Sequence, residues 1–120
     1  MPFNYLLTNL LVDVPAAVGA IFLDYEGEAI DWVTRHGEPY DLKVEGAYHS
    51  IFKRHLEKVS AESEVGEVRS YMMEAEHYTA LTHALPDGYY VVLVLDRCGP
   101  RAQALYHLRR AARVLARELS

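Results

Sequence analysis

The segment Asp41–Glu62 most constrains the fold, because it has the pattern of one long helix with an unusually wide apolar arc. At about 100° per residue, its large apolar side chains spread over roughly half of the helix circumference. An ordinary surface helix needs an apolar stripe of only about 100°. The arc contains Val44, Tyr48, Ile51, Phe52, Leu56 and Val59, with Leu42 and Ala47 on its flanks.

If half of this arc covers a sheet, the other half leaves several large side chains in water. Each of them then forgoes roughly 1.5–3 kcal/mol of burial free energy. A chain of 120 residues has few layers with which to bury a helix on two sides, although such burial is the alternative. We therefore predict that the outer half of the arc contacts a second chain.

Composition indicates one ordered globular domain over residues 1–120, since 51% of the residues are hydrophobic and no long low-complexity run occurs. No apolar run approaches the roughly 18 residues of a membrane span. The first fourteen residues lack the basic leader and the cleavage site of a secretory signal, so we expect a cytoplasmic protein. A single cysteine, Cys98, excludes an intramolecular disulfide and a cysteine-rich zinc site.

Charge is unevenly distributed along a chain whose net charge is −5. Between Asp13 and Glu45 there are eight acidic residues, whereas six arginines lie between Arg97 and the C-terminus. An acidic chain without a basic cluster interleaved with exposed aromatic residues is a poor nucleic-acid binder, so we expect no nucleic-acid partner. We expect the arginine-bearing face of the last helix to be solvated, with contact to a membrane surface or a partner as the alternative.

The hydrophobic periodicities predict the element order α-β-β-α-β-β-β-α, an α+β fold with a five-stranded, mainly antiparallel sheet and helices on its faces. We expect Tyr89–Leu95, which is apolar on both faces, in the middle of the sheet, and Asp41 as the N-cap of the long helix. Gly66–Glu74 has no clearly polar face and fits an edge strand that is partly covered by something else. The other predicted helices are Phe3–Val14 and Pro100–Leu119, and the other predicted strands are Ala16–Leu23, Glu28–Thr34 and His77–Leu85.

No catalytic, cofactor-binding or metal-binding motif is present in the sequence. It contains neither a phosphate-binding G-x-x-x-x-G-K-S/T loop nor a G-x-G-x-x-G segment after a strand. The acids Asp24, Glu26 and Glu28 surround Gly27 and fit a solvated hairpin turn. The histidine pairs are six residues apart, as in His49 and His55, and lack the close spacing of a metal site.

Two stretches, GAIFLDYEGEAIDWV and ALPDGYYVVLVLDRCGPRAQALYHLRRAARVL, resemble the Roadblock / dynein light chain family over about Leu6 to Leu119. The resemblance implies a profilin-like sandwich and a non-enzymatic module that dimerises and serves as a platform for small Ras-like GTPases. It also implies that the middle helices of two subunits pack side by side and that the third strands pair into one continuous sheet. The bacterial members that this chain resembles are partners of a gliding-motility type GTPase.

Carried onto this sequence, the resemblance implies a homodimer, with a heterodimer of related modules as the alternative. It argues against an arginine finger from Arg35 or Arg54. The residues expected to contact the GTPase lie on the polar side of the long helix and are Lys53, Arg54, Glu57 and Lys58. The residues expected in the dimer interface are Val44, Tyr48, Ile51, His55, Val59, Val68, Ser70 and Met72.

A second hypothesis comes from a different class of protein, the small-molecule sensors. A sheet with a helical lid can enclose an apolar pocket, and Trp32, Tyr71 and Tyr90 are the aromatic residues that could line it. Their simpler interpretation is that they are core or interface residues.

Overall fold

The computed structural model describes residues 3–35, 39–64, 66–96 and 100–119, with the backbone alone at 39 and 40. The helices in this part of the chain are α1 (Asn4–Asp13), α2 (Pro39–Ser63) and α3 (Arg101–Leu119). The strands are β1 (Ala17–Leu23), β2 (Ala29–Thr34), β3 (Ser70–Glu74), β4 (Tyr78–Ala84) and β5 (Tyr90–Asp96). A short 3-10 turn, Pro86–Gly88, joins the last two strands.

The five strands form one antiparallel sheet in the order β2-β1-β5-β4-β3. This arrangement confirms the predicted α+β class and the predicted element order. It also places β5 in the centre of the sheet and β3 at an edge, as the sequence patterns indicated. Both central strands, β1 and β5, are almost entirely buried, because a layer of helices covers each of their faces.

The two faces of the sheet carry separate hydrophobic cores. Successive residues of a strand point to opposite faces, so Ala20 and Phe22 face one core while Ile21 and Leu23 face the other. The first core includes the buried sides of α1 and α3, and the second includes Leu42 of α2. In the part of the chain that the structure describes, these elements form three layers, and α2 is the one helix on its face of the sheet.

The boundaries of α2 and β3 differ from those that the sequence predicts. Helix α2 begins at Pro39, so Asp41 lies in the first helical turn and the prediction of an N-cap there is wrong. Proline is well suited to a helix start because its fixed φ is helical and its missing N–H would have no partner within the helix. Strand β3 begins at Ser70 and not at Gly66, whose φ of +91° lies outside extended geometry. The predicted loop at 36–38 and Cys98 lie outside the described residues.

The turn between β1 and β2 has the geometry that its residues predict. Asp24 accepts hydrogen bonds from the backbone N–H groups of Glu26 (2.9 Å) and Glu28 (3.0 Å), and Gly27 has a φ of +88°. Beyond β2, the guanidinium of Arg35 donates to the carbonyls of Ala17 and Leu11. Arg35 therefore fixes the end of α1 to the sheet.

Candidate protein-binding site

Helix α2 presents its large apolar side chains to solvent. Ile51 is 62% exposed and Tyr48 is 58% exposed, although both are large hydrophobic residues. His55 is also exposed and lies between Ile51 and Val59 on the same side of the helix. We call this side the outer face of α2, and it consists of Val44, Tyr48, Ile51, Phe52, His55 and Val59.

The opposite side of α2 contacts the sheet through small and polar residues. The expectation that half of the apolar arc covers the sheet is wrong, because Leu56 is half-buried and the other five members of the arc are exposed. The helix is thus inverted relative to an ordinary surface helix, whose apolar stripe faces the core. The buried residues on its sheet-facing side are Leu42, Gly46, His49, Ser50, Lys53 and Ser60.

Gly46 explains how α2 packs closely on β1. A Cβ atom at this position would lie 2.5 Å from Cδ2 of the buried Leu23, so only glycine allows this approach without a shift. From the neighbouring strand β5, the hydroxyl of Tyr90 donates a 3.0 Å hydrogen bond to the carbonyl of Gly46. Close backbone packing and hydrogen bonding therefore replace the usual apolar contact here.

A second set of contacts connects α2 with the edge of the sheet through the fully buried His49. The hydroxyl of Tyr71 donates a 2.7 Å hydrogen bond to the carbonyl of His49, and His49 Nδ1 lies 3.2 Å from Thr82 Oγ1. His49 Nε2 lies 3.5 Å from a carboxylate oxygen of Glu45. The neighbouring imidazole of His49 lowers the pKa of Glu45, and burial raises the pKa of Tyr71 to about 12.

The predicted GTPase-contacting residues do not share one surface. Arg54, Glu57 and Lys58 are exposed, but Lys53 is only 9% exposed and faces the sheet. Lys53 forms an ion pair with Glu57, and its ammonium lies 5.6 Å from the ring centroid of Tyr90. The expectation that Lys53 lies on an exposed polar side is therefore wrong, because the helix turns that position toward the sheet.

Arg54 has a structural contact of its own. Its guanidinium donates a 2.9 Å hydrogen bond to the carbonyl of Tyr25, so it connects α2 to the turn between β1 and β2. The side chain remains exposed. Arg54 is thus held at the surface in one position beside the hairpin turn.

Among the strands that the structure describes, none pairs with the outer side of the edge strand β3, where alternate backbone groups point away from the sheet. Ala84 N–H donates to Arg69 O (2.7 Å) and Ala75 N–H donates to Tyr78 O (2.8 Å), at the two ends of the β3–β4 ladder. Hydrogen-bonded and non-hydrogen-bonded pairs alternate in an antiparallel ladder, so the backbone N–H and C=O groups of the odd-numbered β3 residues point toward β4. The residues whose N–H and C=O groups point away from β4 are Ser70, Met72 and Glu74.

The side chains on β3 divide between the two faces of the sheet. Met72 pairs with Leu81 of the core shared by α1 and α3, so Met72 and Ser70 lie on the side opposite α2. Tyr71 lies on the α2 side, where it contacts His49. Val68 precedes the strand and is half-buried. The predicted interface residues on α2 therefore lie on one face of the sheet, and Ser70 and Met72 lie on the other. The two groups are close to each other only at the edge of the sheet.

The aromatic residues of the sensor hypothesis hold α2 in place. Tyr71 and Tyr90 donate to α2 carbonyls, as described above, and the ammonium of Lys43 lies 3.8 Å from the ring centroid of Trp32. A groove of about 620 Å³ lies between the C-terminal half of α2 and the ends of β3 and β4, and none of these three residues lines it. The geometry favours their interpretation as supports of the helix.

Metal-binding clusters and membrane-spanning helices are both absent from the described residues. Across residues 3–35, 39–64, 66–96 and 100–119, no group of three or more histidine, cysteine, aspartate or glutamate side chains is positioned to hold a metal ion. Of the helices in those ranges, none combines the length and the apolar character that crossing a membrane requires.

Solved structures with the same architecture identify the fold. A Roadblock/LC7 domain from Streptomyces avermitilis matches with a TM-score of 0.87 and 16% identity, covering 97% of this chain and 96% of that one. The chain has the Roadblock/LC7 fold. MglB from Myxococcus xanthus has the same fold, with a TM-score of 0.88 and 12% identity over 99% of this chain and 95% of that one. A structure of MglB with a tetrameric arrangement matches at 0.85 and 18% identity, over 94% and 84% of the two chains.

At these identities, the comparisons establish the Roadblock/LC7 fold alone. Neither a protein-family model nor a curated protein matches the sequence. The likeness therefore rests on three-dimensional structure, which agrees with the resemblance seen in the sequence.

Sequence reasoning missed the sheet-facing side of α2. The signal was a stripe of small and polar residues at helical spacing, comprising Gly46, His49, Ser50, Lys53 and Ser60. Such a stripe next to a wide apolar arc indicates which side of the helix can approach a sheet most closely. The prediction instead followed the usual rule that the apolar residues of a helix face the sheet.

Proposed function

We propose that the protein is a non-enzymatic homodimeric module that binds a small Ras-like GTPase and modulates its nucleotide cycle or its localisation. The observation that carries this proposal is the outer face of α2, whose large apolar side chains are exposed while polar residues face the sheet. The GTPase as partner comes from the family resemblance. The fold likeness to MglB supports it.

The dimer has a simple geometric form. An unpaired strand edge is a template for pairing with another strand, and the outer side of β3 provides one at Ser70 and Met72. Antiparallel pairing of two β3 strands gives a two-fold axis perpendicular to the sheet. Both α2 helices then lie on the same face of a continuous sheet, where their outer faces can contact each other.

Self-association also agrees with the behaviour of a protein of the same fold. The MglB structure in a tetrameric arrangement has the same architecture as this chain. A second copy of this chain would bury Ile51, Tyr48 and Val59, each worth roughly 1.5–3 kcal/mol if fully buried. Such burial would remove the exposure that makes an isolated subunit unusual.

The GTPase would contact α2 beside the dimer interface. Arg54 and Lys58 are exposed next to the apolar outer face, and Glu57 lies toward the groove. A charged rim around an apolar centre is the common arrangement of protein interfaces, where the rim contributes specificity and association rate. The nucleotide cycle would then respond to binding, without a catalytic residue from this chain.

The dimer is tested by Ile51→Asp, which places a charge at the centre of the outer face of α2. We expect the molar mass from light scattering to fall from dimer to monomer, because an unpaired buried charge strongly destabilises an interface. The matched control is Tyr106→Asp on α3, where the original side chain is exposed to a similar degree and the dimer should persist. An unchanged dimer after Ile51→Asp would exclude Ile51 from the interface.

The partner is tested by pull-down with Ras-like GTPases of the same organism, loaded with GDP or a GTP analogue. The variant Arg54→Glu/Lys58→Glu should keep the dimeric mass and lose GTPase binding, because both residues are exposed outside the apolar patch. No binding by the wild-type protein in either nucleotide state would refute the GTPase proposal and leave the dimer proposal standing.

A further inference from the structure

The side of the molecule opposite α2 also carries exposed residues that the proposed function does not use. The exposed side of α3 carries Tyr106, Arg109, Arg110 and Arg113, followed by Arg117. The only acidic residue of this helix is Glu118, in its last turn. The guanidinium of Arg110 lies 5.9 Å from the ring centroid of Tyr106, so a cation and an aromatic ring are neighbours on this side of the helix.

Helix α1 lies beside α3 in the same layer and contributes exposed apolar groups. Val12 is 70% exposed and Tyr5 is 53% exposed, on the side of α1 opposite its buried residues. The only charged residue of α1 is Asp13 at its C-terminal end, where its carboxylate lies 3.9 Å from His107. We call this combined surface the α1/α3 outer face, defined by Tyr5, Val12, Tyr106, Arg109, Arg110 and Arg113.

We propose that the α1/α3 outer face binds the surface of an anionic lipid bilayer. Arginine guanidinium groups pair with lipid phosphates and carboxylates, and exposed tyrosine and valine side chains can enter the headgroup region beside them. Each arginine near an anionic bilayer strengthens binding by about fivefold at moderate ionic strength.

The composition of the face favours a bilayer over an acidic protein. Its arginines lie beside uncharged apolar groups, which is the combination found on helices that rest in a membrane interface. Two helices packed side by side on a sheet present ridges that a planar surface can contact along their whole length. The acidic residues of α2 lie on the other side of the sheet, and beyond roughly 8–10 Å their repulsion is screened by salt.

The proposed dimer would strengthen this binding, although the inference does not depend on the GTPase. The two-fold axis perpendicular to the sheet places both α3 helices on one side and both α2 helices on the other. Two basic faces could then contact one bilayer at the same time, while the α2 side remains accessible to a protein partner. Two linked sites bind more tightly than either alone.

Co-sedimentation with lipid vesicles tests the inference. The wild-type protein should pellet with vesicles of equal parts phosphatidylserine and phosphatidylcholine and remain in solution with phosphatidylcholine alone. The variant Arg109→Gln/Arg110→Gln/Arg113→Gln should lose about a hundredfold in apparent affinity. Its mass by light scattering and its thermal stability should match the wild type, so the loss cannot come from dissociation or unfolding.

The matched control is Lys43→Gln/Lys58→Gln/Arg69→Gln, which removes the same charge at exposed positions outside the α1/α3 outer face. It should bind vesicles as the wild type does. Equal losses in the two triple variants, or no sedimentation of the wild type with phosphatidylserine, would overturn the proposal.

Soluble polyglutamate distinguishes a bilayer from an acidic protein. The variant Tyr5→Ser/Val12→Ser keeps every charge, and we expect it to weaken vesicle binding without changing binding to polyglutamate. If this variant binds vesicles normally and polyglutamate binds as tightly as vesicles do, the face is a docking surface for an acidic protein and the membrane proposal is wrong.

Discussion

Tyr71 on the edge strand donates a 2.7 Å hydrogen bond to the backbone carbonyl of His49 on α2. This contact joins the two elements of the proposed dimer interface within one subunit. Because His49 also lies within 3.2 Å of Thr82 on β4, the helix is attached to two neighbouring strands at the same point. The position of the outer face of α2 is therefore coupled to the position of the free strand edge.

Removing this hydrogen bond should lower stability by a small, measurable amount. Tyr71→Phe keeps the ring and removes the donor, so we expect the free energy of unfolding in urea to fall by about 1 kcal/mol. The control Tyr78→Phe alters an exposed tyrosine on β4 and should leave the free energy unchanged. Equal effects of the two substitutions at one protein concentration would contradict the role of the Tyr71 hydroxyl.

Acid should weaken a stabilising contact within α2, between Glu45 and His49. The imidazole of His49, whose Nε2 lies 3.5 Å from the Glu45 carboxylate, lowers the pKa of Glu45 below its ordinary value of 4.5. A carboxylate whose pKa is lower in the folded state stabilises the fold above its unfolded pKa, and this contribution disappears as pH falls through the folded pKa. Measured by urea unfolding from about pH 6 to about pH 3, the difference in stability between wild type and Glu45→Gln should therefore shrink.

The partner of Glu45 is tested by repeating the pH series with His49→Asn. In that background, Glu45→Gln should have little pH-dependent effect, because the imidazole that lowers the pKa is gone. A stability difference that stays constant across the pH range in the wild-type background would refute the coupling.

The close approach of α2 to β1 predicts a conditional effect of Gly46→Ala. Alanine has the higher helix propensity by up to about 1 kcal/mol, but its Cβ would lie 2.5 Å from Leu23 Cδ2, and overpacking a core costs about 1–3 kcal/mol. We expect a net loss of unfolding free energy in the wild-type background. In a Leu23→Ala background the clash is absent, so Gly46→Ala should become stabilising, and a loss in both backgrounds would exclude this contact as the cause.

The direction of the backbone groups on β3 predicts that proline substitutions at two neighbouring positions affect different properties, dimer formation for one and subunit stability for the other. Met72→Pro removes an N–H that points away from β4, so it should abolish dimer formation while the stability of the subunit changes by about 1 kcal/mol or less. Met73→Pro removes an N–H that faces β4 and should destabilise the subunit itself, by about 1–3 kcal/mol. Light scattering and circular dichroism distinguish the two results, and a Met72→Pro protein that remains dimeric would exclude pairing through this edge.

The sequence predicted most of the sheet well because the strands other than β3 had a clear local signal, whereas Gly66–Glu74 has no clearly polar face and its predicted start was wrong. Tyr89–Leu95 is apolar on both faces, which occurs in a strand covered by two layers, and Pro86–Gly88 indicated the preceding turn. The exposed apolar side of α2 was also predicted, because a helical arc of that width exceeds what one contact can bury. The predicted interface and GTPase-contacting residues remain predictions, apart from Lys53, whose burial is a correction.

The amino-acid sequence by itself determined the element order, the central strand and the existence of an apolar surface on α2, because these follow from periodicity and turn residues along the chain. Only the tertiary structure decided which side of α2 meets the sheet. The side chain of Leu23 leaves room only for a glycine at position 46 of the helix. Tyr71, Tyr90 and Thr82 supply hydrogen-bonding partners for the polar side of the helix. Those partners come from residues up to 44 positions away, so the stripe of small and polar residues on the helix cannot show by itself that they are present.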